Sequence, residues 1–246
     1  MMKIDPREIA ELASAQPGVP RLDMYAGIHK AMRALMADTL LGLGRTDVDD
    51  ELAFAQAGER VLQLLEFCSA HLRHENTFVH KAMEARAPGS SGAIADEHAE
   101  HEHDIAALAE GVAQLRSCER MARPRAVQAL YRQLALFVAH NFEHMHIEET
   151  LHNEVLWAHY SDEELMQVHN ALVASIPPSE MMVVVRWLVP FMAPAERLAM
   201  LADMRQHAPA PAFEAVLHTV QPHLTQAEWR QLMQGLGIPA APGLVH

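Results

Sequence analysis

Two stretches of this chain share a pattern with chemical meaning: His71-Leu72-Arg73-His74-Glu75-Asn76-Thr77-Phe78 and His144-Met145-His146-Ile147-Glu148-Glu149-Thr150-Leu151. Each reads as a histidine, a glutamate four residues on, a threonine two beyond that, and then an apolar residue. On a helix, positions i and i+4 share one face, one turn apart. Each stretch therefore aims an imidazole and a carboxylate in the same direction. That pair of donors suits iron, manganese or zinc.

The spacing by itself is weak, because the chain holds 17 histidines and the same spacing recurs at His80/Glu84, His98/Glu102 and His159/Glu163. What sets the two stretches apart is the stripe on which they sit. Leu130, Leu134, Phe137, Asn141, His144, Glu148, Leu151 and Val155 step by alternating fours and threes, and so do Val61, Leu64, Cys68, His71, Glu75, Phe78 and Ala82. These are the inward seams of bundled helices. A buried carboxylate without a partner costs several kcal/mol or loses its charge. Two of them at matching depth imply a shared cation.

The elements that must position these groups follow from periodicity and punctuation. A first helix is expected from Arg21 or Leu22 to about Leu43, with His29 on its inward seam. A lone histidine there reads as a hydrogen-bonded core residue, unless the other seams converge on a metal. Asp47, Asp49 and Asp50 open a second helix that runs to about Arg86, since acidic residues suit a helix start. Pro88-Gly89-Ser90-Ser91-Gly92 is a turn. A third helix follows to about Arg120, with His98 and His101 at successive inward positions. At least one of them should be a ligand, and both are read so. Pro124 opens the fourth helix, which ends near Tyr160. His74, His80, His103, His140, His146, His152, His159 and His169 read as surface residues or as residues behind the ligands. Tyr25 and Cys68 read as core packing.

The expected fold class is therefore all-α: a loose arm over 1–20, an up-down-up-down four-helix bundle over 21–160, and an additional C-terminal helical segment over 161–246. In that segment, capping boxes at Ser161-Asp-Glu-Glu164 and Thr225-Gln-Ala-Glu228, with prolines between them, mark helix starts. They predict short helices at 162–174, 179–189, 194–206, 211–221 and 225–235. The apolar run from Arg186 to Met192 reads as docking on the bundle, with a homodimer or partner surface as the alternative.

Composition narrows the function classes. Of the 246 residues, 19 are Lys or Arg and 32 are Asp or Glu, a formal charge of −13. That argues against nucleic acid or an anionic membrane as the partner. No segment has membrane-spanning length, the start lacks an apolar signal core, and two cysteines, Cys68 and Cys118, form no disulfide framework. A cytoplasmic protein is expected.

The ordered set of His29, then His71 with Glu75, then His98 and His101, then His144 with Glu148 resembles the hemerythrin-like family, also known by its HHE cation-binding domain, over roughly residues 21–160. The resemblance implies a cofactor of two non-haem Fe ions, with Zn or Mn as the alternative. Glu75 and Glu148 would bridge the metals, and His29, His71, His98, His101 and His144 would be terminal ligands. It implies a protein that binds or senses dioxygen or another small diatomic ligand. The alternatives are a di-iron enzyme handling nitric oxide, peroxide or oxygen, or a metal-binding interaction module. In oxygen-carrying members the fourth-helix acid is an aspartate five residues after its histidine, and the third-helix histidines are four apart. Here Glu148 follows His144 by four, and His98 and His101 are three apart. A ferritin-like site needs Glu-x-x-His; Glu100/His103, Glu143/His146 and Glu149/His152 have that spacing but lie off the inward seams.

Overall fold

The structure, a computed structural model, describes Arg7, Ile9, Ala10 and residues 21–239. The rest of the expected N-terminal arm lies outside the described residues. Among those described, helix is the only regular structure. Four long helices come first. α1 is Ala26–Gly44; α2 is Glu51–His74, continued through a π-helical turn at Glu75–Val79 into His80–Arg86; α3 is Gly92–Ser117; α4 is Arg123–Ile147, continued through a π-helical turn at Glu148–His152 into Asn153–His159. Five shorter helices follow: α5 (Asp162–Ser175), α6 (Pro178–Leu188), α7 (Pro194–His207), α8 (Ala210–Val220) and α9 (Gln226–Leu236).

Local chemistry accounts for the boundaries. Asp50 caps α2, its Oδ1 accepting from the backbone N–H of Leu52 and Ala53 at 2.9 and 3.1 Å. α1 starts later than the periodicity predicts, because Asp23 Oδ1 takes the N–H groups of Tyr25 and Ala26 and holds the preceding residues out of the helix. Gly89, at φ 85°, makes the turn before α3. Ser161 and Glu164 form the expected capping box on α5, and Thr225 and Glu228 form the one on α9.

The two π turns correct the predicted seams. Beyond Glu75 the buried residues are Val79, His80 and Met83, while Phe78 and Ala82 are only half-buried. Beyond Glu148 they are His152, Asn153 and Leu156, while Leu151 is exposed. A π turn admits one extra residue before the ladder resumes. The inward stripe therefore advances by one position past each glutamate.

The chain divides into two compact units, parting between Ser175 and Ile176, with Lys30–Ala34 grouped with the second. In the first unit, Tyr25, Val79, Met83, Leu156 and Leu165 form a buried cluster with Leu22, Trp157 and Tyr160 packed against it. Trp157 Nε1–H donates to the Leu22 carbonyl at 2.9 Å, and the Tyr160 hydroxyl donates to the Ala82 carbonyl at 2.7 Å. The second unit has its own core of Val185, Val189, Leu201, Phe213, Val216, Val220, Leu232, Met233 and Leu236. Part of the apolar run of 186–192 is thus used inside the second unit, where Arg197, itself buried, donates to the carbonyls of Val189, Pro190 and Met192. Among the described residues, no single helix is long and apolar enough to cross a membrane.

Candidate metal centre

α2 and α4 each bring one histidine–glutamate pair inward. His71 Nε2 stands 3.1 Å from Glu75 Oε1, and His144 Nε2 stands 3.4 Å from Glu148 Oε2. α1 adds His29, whose Nε2 is 3.4 Å from Glu148 Oε2 and 3.7 Å from Glu75 Oε1. α3 adds His98, whose Nε2 is 3.6 Å from Glu75 Oε2, 3.7 Å from Glu148 Oε1 and 3.1 Å from His144 Nε2. Two ligand groups result, and both glutamates belong to each. One is His29, His71, Glu75 and Glu148; the other is His98, His144, Glu75 and Glu148. In each, one donor atom per residue lies within 4.8 Å of the others, and every member is buried.

The donor set fits a metal by a direct test. Both carboxylate oxygens of Glu75 and both of Glu148 are buried and have no hydrogen-bond partner, and the same holds for His29 Nε2 and His71 Nε2. Buried polar atoms are nearly always bonded, and an uncompensated buried carboxylate is among the most costly groups a core can hold. Cations held by the two groups would satisfy all six atoms. These buried clusters could hold a metal ion.

A set of outer partners turns the imidazoles the right way. His98 Nδ1–H donates to Asn76 Oδ1 at 2.8 Å, His144 Nδ1–H to Glu97 Oε2 at 2.9 Å, and His29 Nδ1–H to Glu149 Oε1 at 3.1 Å. A proton fixed on Nδ1 leaves Nε2 to face the glutamates, the arrangement that metal-binding histidines use. Asn76 and Glu149 each directly follow a seam glutamate. Each helix therefore offers one carboxylate to the centre and uses the next residue to hold a histidine on another helix. Sequence reasoning missed these partners; the only signal was a polar residue after each glutamate.

The electrostatics favour positive charge here. Burial pushes the His144 imidazole down, yet Glu148 and Glu97 outweigh it and lift its pKa to about 10. Burial is likewise overcome at His29, raised well above its usual range by Glu148, Glu149 and Glu75. Burial pushes the Glu148 carboxyl up, but His144, His29 and His98 hold it well below the ordinary range. Glu75, which burial and Glu148 push up, is held low by His71 and His29. Without a metal, protons carry the charge that the carboxylates require.

Six of the seven sequence-derived ligands meet in these two groups. The seventh, His101, is buried outside them, its ring 4.6 Å from that of His144 and its Nδ1 without a hydrogen-bond partner. Burial and the neighbouring His144 and His98 bring its pKa down to about 4. His80 and His152, read from sequence as lying at the surface or behind the ligands, are both buried and form a third group with Glu148. Their rings meet edge-on with centroids 5.5 Å apart, and His80 stacks on His98 at 4.8 Å. His152 Nδ1 shares a 3.1 Å hydrogen bond with the Tyr25 hydroxyl, so Tyr25 both packs and touches the histidine cluster. Cys68 is buried, its thiol pushed up to about 12 by burial, which makes it an inert core residue. No protein-family model matches the chain, and no curated protein or solved structure is significantly similar to it.

Proposed function

We propose that this chain is a hemerythrin-like metalloprotein. In this reading α1–α4 form an up-down-up-down bundle around a carboxylate-bridged pair of non-haem irons, and the centre binds or senses dioxygen or a related small ligand. The observation that carries the reading is the unbonded state of all four oxygens of Glu75 and Glu148, each glutamate being shared by two histidine pairs. Sharing of that kind is what a bridge between two cations needs. Charge supports cations at this place: Glu75 and Glu148 are both buried, and the two carboxylate charges they bring to the centre need positive charge beside them.

His29 and His71 would hold one ion, His98 and His144 the other. Bound iron would supply a redox-active coordination position for a diatomic ligand. The protein's own part is to fix the Nε2 directions through Asn76, Glu97 and Glu149, and to keep bulk water out by burial. His80 and His152, beside Glu148, are the polar groups closest at hand for a bound ligand's hydrogen bonds. We read the site as a binding centre rather than a catalytic one, in a cytoplasmic protein whose cysteines stay reduced. Zinc or manganese would suit the same donors.

Metal content and absorption of the purified protein, reduced and then exposed to air, test this reading. About two irons per chain with an oxygen-sensitive near-ultraviolet band are expected, along with loss of the metal in Glu148→Ala. Zinc or manganese in place of iron after reconstitution would keep the centre and end the oxygen reading. A fully helical protein that takes up no metal would overturn the whole proposal.

A further inference from the structure

A cleft of about 360 Å³ opens on the surfaces of α3 and α4, beside the candidate centre. Its walls carry Glu97, Glu100 and Asp104 of α3 and His140 and Glu143 of α4, and His101 lines it as well. The first and last turns of these helices are not involved; the groups come from mid-helix. His101 is the informative residue. It is only 5% exposed, and its Nδ1 has no hydrogen-bond partner. A buried imidazole that lines an acidic cleft and keeps one ring nitrogen without a partner has a polar group still to be satisfied, and among carboxylates a cation is the partner that suits it.

The cleft is also joined to the centre by direct contacts. Glu97, whose side chain is 40% exposed, accepts from His144 Nδ1–H at 2.9 Å. The His101 ring meets the His144 ring edge-on at 4.6 Å. His144 Nε2 in turn lies 3.4 Å from Glu148 Oε2. A path of charged and imidazole groups thus runs from solvent to the shared glutamate. Dioxygen, small and apolar, has no use for four carboxylates, whereas a hydrated divalent cation does.

We infer that this cleft is a loading site, where a hydrated divalent cation is captured by the carboxylates, loses water to His101 and Glu97, and passes by His144 to the buried groups. The inference rests on the metal-centre reading above. A focused acidic cleft raises the local cation concentration and with it the on-rate, while the final resting place is set by the inner donors. Rate and stoichiometry are therefore governed by different residues.

The test uses cobalt(II) mixed rapidly with the metal-free full chain, following the visible bands of the bound ion. The triple variant Glu100→Gln, Asp104→Asn, Glu143→Gln should load about tenfold more slowly at low salt yet reach the wild-type number of ions. The wild-type rate should fall as salt is added, and the variant's should hardly change. Single Glu100→Gln, at an exposed position, should give an intermediate rate. A control triple that removes as much charge elsewhere, Glu66→Gln, Glu119→Gln, Glu163→Gln, should load like the wild type. Wild-type loading in the cleft variant would overturn the inference, as would equal slowing in the control or a reduced final number of ions. Wild-type protein that binds no cobalt at all would instead bring down the metal-centre reading itself.

Discussion

His98 owes its direction to a side chain that is not among the metal-type donors. Its Nδ1–H is held by Asn76 Oδ1 at 2.8 Å, and Asn76 itself is exposed. Removing the amide therefore opens no core cavity. It leaves the imidazole free to rotate or to place its proton on Nε2, where that proton would block coordination. Outer partners of this kind are worth about ten- to a hundredfold in metal affinity. Asn76→Ala is expected to lose that much in a competition titration against a chelator, with its helix content and number of ions unchanged. His146→Ala provides the contrast, since His146 lies outside the buried groups; its affinity should match the wild type. Equal affinity in Asn76→Ala and wild type would mean that His98 is oriented by packing against His80 instead.

At the scale of the helix, the two π turns are the feature that sequence periodicity could not supply. Each begins at a seam glutamate and contains the threonine two residues on. Thr77 donates its hydroxyl to the Arg73 carbonyl at 2.6 Å, and Thr150 donates to the His146 carbonyl at 2.7 Å. Such a bond back to the fourth carbonyl competes with the regular ladder and bends helices. Deleting Thr77 should let α2 run as an unbroken α-helix, because Val79 and Met83 would then fall three and seven residues after Glu75, still on the seam. We expect that variant to keep its helicity by circular dichroism and to bind metal more weakly, since Glu75 loses the wider turn that presents it. Deleting Gln133, inside the regular part of α4, should by contrast rotate every later residue by about 100° and abolish cooperative melting. A Thr77 deletion that unfolds the chain would show that the π turn stabilises the fold and does not serve the site alone. The same turns explain what was legible. The helix starts at Asp50, Ser161 and Thr225 could be read from caps, because a cap is a local bond between near neighbours. His29, His71, Glu75, His98, His144 and Glu148 could be read from regular spacing up to each glutamate. His80 and His152 lie past the extra residue, where a 3.6-residue count points to Phe78 and Leu151 instead. His101 has the right spacing on α3, but its ring abuts His144 on the side of the acidic cleft.

For the molecule as a whole, the chemistry and the second core are held by different stretches of chain. Every residue of the three ligand groups lies between His29 and His152. The second unit is closed by its own apolar residues from Val185 to Leu236 and by the buried Arg197, whose guanidinium takes up three carbonyls and lies 3.6 Å from Glu228 Oε1. A ligand that binds only the folded first unit stabilises that unit by RT ln(1 + [L]/Kd), about 2.7 kcal/mol at a hundredfold excess over Kd. Amide hydrogen exchange reads such stabilisation segment by segment. Metal added to the metal-free chain should slow exchange in α1–α4 by up to about a hundredfold, most of all around Glu75 and Glu148, where six buried donor atoms gain a partner. Exchange in α7–α9 should be unchanged, because the core they share with Val185 and Val189 contains no ligand residue. Arg197→Ala should do the reverse, speeding exchange in α7–α9 while leaving the metal-dependent protection of α1–α4 intact. Equal slowing in both stretches on adding metal would mean that the two units unfold as one, and that the C-terminal helices report on the state of the centre.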